Sequence, residues 1–405
     1  MNNYKKVLFA SLGGAFEYYD FAIYAIFASV IGSRFFDFSN SATNTLMVFL
    51  VFAGSYFVKP FGAIFFGYFG DKYSRIAVLR VTIILLFIST LGMALLPDIN
   101  QIGIWATILF VIFRCIQGIA IGAEIPIAVT YSTESFPNRQ GLVTGIVFSC
   151  LSLGIMMTTL VFFMMTKFTS SEFISEYGWR VAFLLGAVFT FFIYFLRKGV
   201  TDNYDFLVDK DSGVKEDLKT FFKRIFVGIA LVSSVAMIMT QLYMFLPAFY
   251  KEYVNASVDI SELLLIGSII MTVSCIIGGF ISDYVSKKKM MALLLIITLA
   301  IIPIFYKNLL EANNVFGPFI AISIILGFIA PTYNVIIVNM FKPSYKCRGL
   351  GISYNFGYLI FSSPIPLVSM LLINMTGSIF IPMLLIVATI VISMFGLVVS
   401  RKATI

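Results

Sequence analysis

The sequence contains no histidine and only four cysteines, and just 12% of its 405 residues are Asp, Glu, Lys or Arg. Each shortage excludes something. Without histidine there is neither a histidine metal site nor a histidine proton relay. Cys115, Cys150, Cys275 and Cys347 lie in or at the edge of apolar runs rather than paired in a loop, so no disulfide framework is expected. There is no Walker A motif, so ATP does not drive the protein. No metal-ligand cluster and no serine in a nucleophile elbow is present either. No cofactor is expected, and the chain does not read as an enzyme. A charged fraction of 12% is about half that of a soluble chain.

What fills the gap is apolar. Hydrophobic residues make up 60% of the chain, and the mean hydropathy is +0.98. Apolar runs of about 20 residues recur along the whole length, each long enough to cross about 30 Å of hydrocarbon. In lipid the backbone must satisfy itself within helices or a closed barrel. The runs are continuous rather than alternating, so they read as helices. Twelve spans are expected, at 7–32, 44–69, 76–96, 102–130, 141–166, 179–197, 224–249, 261–282, 290–306, 315–340, 348–373 and 377–399. The ninth and tenth spans are divided around Glu311 to Phe316, where the loop is short. The start, MNNYKKVLFASL, is basic, but no small-residue cleavage site follows, so the first span is expected to stay in the protein.

The charge is +8, and its placement reads as topology. Most Lys and Arg fall in the segments on the side of the two termini. Only Arg34, Lys167, Arg180, Lys251 and Lys307 fall on the other side, and Lys59 and Arg114 fall inside spans. By the positive-inside rule both termini are cytoplasmic. No basic patch is interleaved with exposed aromatics, so a nucleic-acid partner is not expected.

The longest polar stretch, RKGVTDNYDFLVDKDSGVKEDLKTFFKR (197–224), follows six spans and precedes six. It divides the chain into a six-helix bundle at 1–197, a cytoplasmic, partly helical linker at 198–223 and a second bundle at 224–405. A repeat supports the division. GYFGDKYSR, with Gly67, Asp71 and Arg75, follows the second span. GFISDYVSK, with Gly279, Asp283 and Lys287, follows the eighth at the same spacing. A weaker echo joins Phe136, Pro137, Arg139 and Gly141 to Phe341, Pro343, Arg348 and Gly349. Two repeated halves with a solute site between them at mid-membrane are a transporter architecture. The loop acid and bases are expected to form a salt-bridge latch between the halves.

The GYFGDKYSR stretch resembles the loop signature of the major facilitator superfamily, Gly-x-x-x-Asp-x-x-Gly-Arg, with Ser74 where Gly is usual. Further stretches resemble its metabolite:proton symporter branch: EYYDF (17–21), KPFGA (59–63, with Lys59 in place of Arg), RCIQGIAIGAE (114–124), YSTESFPNRQG (131–141) and GWRVAFLLG (178–186). The likeness is dense in the first half and thin in the second. It implies an all-α fold of twelve transmembrane helices in two six-helix bundles, in a bacterial inner membrane. It also implies proton-coupled import of a small polar solute, as in the proline and betaine, oxoglutarate, citrate, shikimate and phagosomal amino-acid transporters of that branch. The partners are then the solute, protons and lipid, and the chain is expected to work as a monomer.

The buried charges carry the chemistry. A charged group at the membrane centre costs about 2.5 kcal/mol or more, so it needs a partner or a task. Glu17 and Asp20, three residues apart, lie on nearly one helix face. Asp20 and Arg114 both fall near mid-depth, and the resemblance places their spans along the central cavity. Arg114 is expected to pair with Asp20 or Glu17, leaving the other acid desolvated and able to take a proton. Proton coupling is thus assigned to Glu17, Asp20, Arg114 and Glu124, the last with Lys59 or Arg139 as an alternative structural partner. Solute contacts are assigned to Tyr18, Tyr24, Arg114 and Gln117 in the first half. In the second they fall to Gln241, Tyr243, Tyr333, Asn334, Tyr354 and Asn355, with Asn339 near them. The latch is assigned to Lys59, Gly67, Asp71, Arg75, Glu134, Arg139, Asp283 and Lys287, Lys59 having interfacial snorkelling as its plainer reading. Gly118 with Gly122 and Gly141 with Gly145 are spaced for close helix packing. The runner-up function is proton-driven efflux. A channel has no need of the repeated latch.

Overall fold

The computed structural model describes residues 3–37, 41–200, 217–254 and 258–400. Its regular structure among these residues is helical, in twelve successive membrane-crossing units that we number α1 to α12. They are α1 (Asn3–Ile26, continued by Ala28–Phe35), α2 (Ser41–Lys72), α3 (Arg75–Leu95), α4 (Ile104–Ser135), α5 (Gln140–Phe168) and α6 (Trp179–Lys198). The second six are α7 (from Leu218–Met239), α8 (Ile260–Ser282), α9 (Lys287–Leu310), α10 (Phe316–Val338), α11 (Lys346–Phe361 and Ile365–Thr376) and α12 (Ile381–Ser400). Among the described residues, ten helices are long and apolar enough to cross a membrane by length and composition. Most of the linker expected at 198–223, namely 201–216, lies outside the described residues.

Local chemistry sets the helix ends. Ser74 accepts a hydrogen bond from the Ala77 N–H at 2.8 Å and caps α3. The residue that departs from the loop signature is therefore a helix cap. Asp217 caps α7 through the Thr220 N–H, so α7 starts six residues before the expected 224. Between α9 and α10 the turn needs left-handed backbone at Ala312 and Asn314, which is how so short a loop reverses the chain.

Two spans differ from the uninterrupted helices expected. The first is divided at Phe27. The eleventh is interrupted at Ser362 to Pro364, because proline supplies no N–H and its ring displaces the preceding turn. In α7 the helix widens to π geometry over Thr240–Phe245, opposite that interruption: the Thr240 and Ser362 hydroxyls bond at 2.7 Å.

The first six and last six helices meet along α5–α8 and α2–α11, with α10 against α5 and α11 against α4. Small residues permit this. A Cβ on Gly141 or Gly145 would collide with the backbone of Gly279 or Cys275 across the interface. Within the first six, Gly118 and Gly122 lie directly on the Ser55 and Lys59 backbone. That contact fixes the backbone from which Lys59 projects.

Candidate functional site

Of the carboxylates buried in the first half, Glu17, Asp20 and Glu124 lie well inside helices, away from the ends that hold Asp71, Asp98 and Glu134, and each of the three has its own cation. Asp20 on α1 accepts from Arg114 Nη1 at 2.6 Å and from Gln117 Nε2 at 3.0 Å, so both its oxygens are bonded. Gln117 also bonds Thr90 on α3 and accepts from Arg114. The guanidinium lies 3.7 Å from the centre of the Tyr24 ring. Glu124 on α4 pairs with Arg197 on α6 and accepts from the Thr82 hydroxyl at 2.6 Å. Arg197 also donates to the Phe9, Ala10 and Leu79 carbonyls, so this completely buried group ties α1, α3, α4 and α6 together. Glu17 differs. One oxygen accepts from Lys59 Nζ at 2.9 Å, and the other is buried without a hydrogen-bond partner. The same ammonium sits 3.8 Å from the Tyr56 ring centre.

Tyr18, the residue after Glu17, opens onto a small cavity of about 20 Å³ between the two sets of helices. Tyr18, Phe148, Leu151, Ser152 and Ile155 line it from one side. Val235, Met239, Met271, Cys275, Leu326, Ala330 and Tyr358 line it from the other. The Tyr18 and Tyr358 hydroxyls face one another at 3.3 Å across it, and Tyr354 packs against Tyr358 with ring centres 4.6 Å apart.

At the end of the bundle that carries the chain termini, two acids cross between the sets. Asp71 accepts from the Cys347 and Arg348 backbone N–H groups and from Arg348 Nε at 3.1 Å. Asp283 accepts from the Gly141 and Leu142 N–H groups at 2.7 and 2.9 Å. Each acid therefore sits on the N-terminus of a helix of the opposite set, where free N–H groups and the helix dipole favour negative charge. Arg75 completes the first clamp by bonding Glu134 at 3.0 Å, with Asp71 3.6 Å away. In the second, Lys287 lies 3.8 Å from Asp283, and Arg139 bonds the Tyr284 hydroxyl and stacks on its ring. A Cβ on Gly67 would press on the Arg348 backbone.

The family model described as the Major Facilitator Superfamily matches residues 10–364. The chain belongs to the major facilitator superfamily. It is 30% identical over 393 residues to a putative proline/betaine transporter of Staphylococcus aureus (strain COL), covering 92% of this chain and 83% of that one. It is 26% identical to the citrate-proton symporter of Klebsiella pneumoniae (92% and 86% covered) and 27% identical to the proline/betaine transporter of Salmonella typhimurium (88% and 75% covered). Among solved structures it overlays the proton:xylose symporter XylE bound to 6-bromo-6-deoxy-D-glucose with a TM-score of 0.79 at 16% identity, over 99% of this chain and 95% of that one. The fold is the twelve-helix major facilitator fold, and the protein is a membrane transporter rather than an enzyme.

Set on this facilitator fold, the residues singled out in the sequence separate into three places. Arg114 takes Asp20, not Glu17. That pair turns into the first six helices, toward Thr90, Tyr24 and Phe183, and neither residue is among those lining the cavity. Tyr24 and Gln117 go with it: the Tyr24 hydroxyl is spent on the Val48 carbonyl and Gln117 on Asp20. Glu124 joins neither Arg114 nor Lys59 nor Arg139. It lies with Arg197, a residue at the end of an apolar span that read only as a topological charge. Lys59 is not at the interface or in the latch. It is buried against Glu17, because the carboxylate and the Tyr56 face offer more than a snorkelled position.

Of the solute candidates in the second six helices, most are tied to neighbours. Gln241 donates to Ser369, Tyr243 bonds Ser323, Asn334 donates to Ala330, and Asn355 donates to the Gly122 carbonyl of the opposite set. Tyr333 and Tyr354 are buried. Asn339 bonds Gln140 and belongs with the clamps. Sequence reasoning missed Tyr56, Tyr358 and Arg348 as site residues. Tyr358 is one helical turn from Tyr354, and Arg348 stood in the repeat, so both carried a signal.

Proposed function

We propose that this transporter is a proton-coupled symporter that imports a small organic solute bearing a carboxylate: an amino acid, a betaine or a carboxylic acid. The observation that carries the reading is the unequal state of the three buried acids. Asp20 and Glu124 have both oxygens bonded and a guanidinium each, as structural pairs. Glu17 has a spare oxygen and a single ammonium partner, and its chain neighbour Tyr18 lines the cavity between the two sets of helices. With no histidine in the chain, Glu17 is the group suited to take the transported proton. The relatives' names agree on the chemistry, since proline, betaine and citrate share only the carboxylate.

The two six-helix sets, at 1–197 and 224–405 with the linker 198–223 between them, move as units. The Asp71 and Asp283 clamps hold the termini-bearing end closed, and release them when the site turns inward. The protein sits in the bacterial cytoplasmic membrane with both termini in the cytoplasm. Import into proteoliposomes tests the reading. An inward proton gradient drives accumulation of proline, glycine betaine or citrate, and an ionophore abolishes it. Uptake that ignores the gradient contradicts it.

A further inference from the structure

The position of Lys59 carries a step beyond this. Its backbone is pinned where Gly122 lies on the Lys59 carbonyl, yet its side chain reaches the Glu17 carboxylate, next in the chain to the cavity-lining Tyr18. An ammonium has three donors and no acceptor, so it binds whichever carboxylate is offered. It also tolerates an aromatic face, as at Tyr56.

We propose that Lys59 is the ligand for the solute's carboxylate, and that Glu17 keeps it occupied until Glu17 takes the proton. The proposal rests on the reading of the protein as a proton-coupled importer. The proton adds to Glu17 Oε2, the oxygen with no partner. Glu17 becomes neutral and its hold on Lys59 falls. Lys59 keeps its own proton and donates to the incoming carboxylate, which takes over the charge Glu17 has given up. Proton and solute thus bind together rather than in competition, as symport requires. Tyr18 and Tyr358 complete the place where the carboxylate lands, one from each set of helices.

The surrounding charges leave this role to Glu17 and Lys59. On α1 itself Asp20 is satisfied, and on α4 Arg114 and Glu124 have their own partners. On α6 Arg197 is spent on Glu124. From α2, α10 and α11 come only the phenols of Tyr56, Tyr333, Tyr354 and Tyr358, each within electrostatic reach of Glu17. Among the described residues, no other buried cation is held by one bond to a half-used carboxylate.

The test uses the purified full chain in nanodiscs and two probes, acetate and glycine betaine. Binding is read by thermal stabilisation and by calorimetry. In the wild type, affinity for both rises as pH falls. In Glu17→Gln it is high at every pH, about tenfold or more above the wild type at alkaline pH, the scale of one charge-assisted hydrogen bond. In the double variant Glu17→Gln/Lys59→Met it is lost. The double variant leaves no unpaired buried charge, so it separates binding from folding. Choline, with the same trimethylammonium and no carboxylate, shows no dependence on Lys59. If Glu17→Gln fails to gain affinity for acetate, or if the double variant retains it, Lys59 is a structural partner and the proposal falls. These are binding measurements, so they separate from symport itself: pH-linked binding without gradient-driven uptake would overturn the function proposed above and leave the Lys59 site standing.

Discussion

The first six helices and the last six share one fold but not one chemistry. Among the described residues, every buried Asp, Glu, Lys and Arg lies between residues 3 and 200. Residues 217–400 bury hydroxyls and amides instead, such as Ser233, Thr240, Gln241, Asn334 and Asn355. The difference is one of cost. A buried ion is tolerated only with a partner in good geometry, whereas a buried hydroxyl bonds the carbonyl four residues back, as Ser323 and Thr332 do. The first set therefore holds groups whose state a proton can change. The second supplies a wall, with Tyr358, Met239 and Met271 on the cavity, and holds the π-widened α7 beside the interrupted α11.

The contrast breaks most visibly at Arg197. Replacing it by Met strands Glu124 in a site with no exposure, and the expected loss is about 3–5 kcal/mol. Folded yield in detergent and the unfolding midpoint check it. Glu124→Gln/Arg197→Met should recover most of that loss, because no unpaired charge remains. A double variant as poor as the single would mean that the carbonyl bonds of Arg197, not its charge, hold α1 and α3 in place.

The two clamps sharpen the comparison across the interface. Asp71 has the Arg348 side chain in addition to two backbone donors, and Arg75 with Glu134 behind it. Asp283 has two backbone donors and a distant, partly exposed Lys287. Asp71→Asn should therefore slow transport more than Asp283→Asn, by about tenfold against a few-fold if one charge-assisted bond separates them. Initial uptake rates at matched expression decide it. Equal effects would mean that the helix termini alone hold the acids.

The smallest effects belong to the last six helices. Gln241→Leu removes a 2.7 Å bond to Ser369 and should cost about 1 kcal/mol in stability, with the apparent solute affinity changed less than tenfold. A loss of all transport would move Gln241 from packing into the solute site.

How far the sequence could be read follows from the same physics. Span positions were legible because hydrocarbon demands long apolar runs, and the observed helices begin and end within a few residues of those expected, apart from the early start of α7. The Asp20–Arg114 pair was legible because depth can be counted along two spans. The partner of Glu17 was not. Lys59 falls inside its span, but depth alone does not say which helix it faces, and only the packing of Gly118 and Gly122 on α2 and the bond to Glu17 show that it is buried beside α1. Arg197 was hidden for the opposite reason. A base at the end of a span looks like a topological signal, and nothing in the linear pattern says that four helices converge on it. The clamps were legible in part. Repetition gave the acids, but their acceptor role at the opposite helix N-termini needs the tertiary arrangement.

The most direct measurement compares the wild type with Glu17→Gln in two assays on the same proteoliposomes: accumulation driven by an inward proton gradient, and exchange of solute with no gradient. If Glu17 carries the proton, Glu17→Gln exchanges solute at a rate near that of the wild type and accumulates none. If Glu17→Gln accumulates solute as the wild type does, the proton travels elsewhere, and the separation of one working acid from two structural ones is wrong.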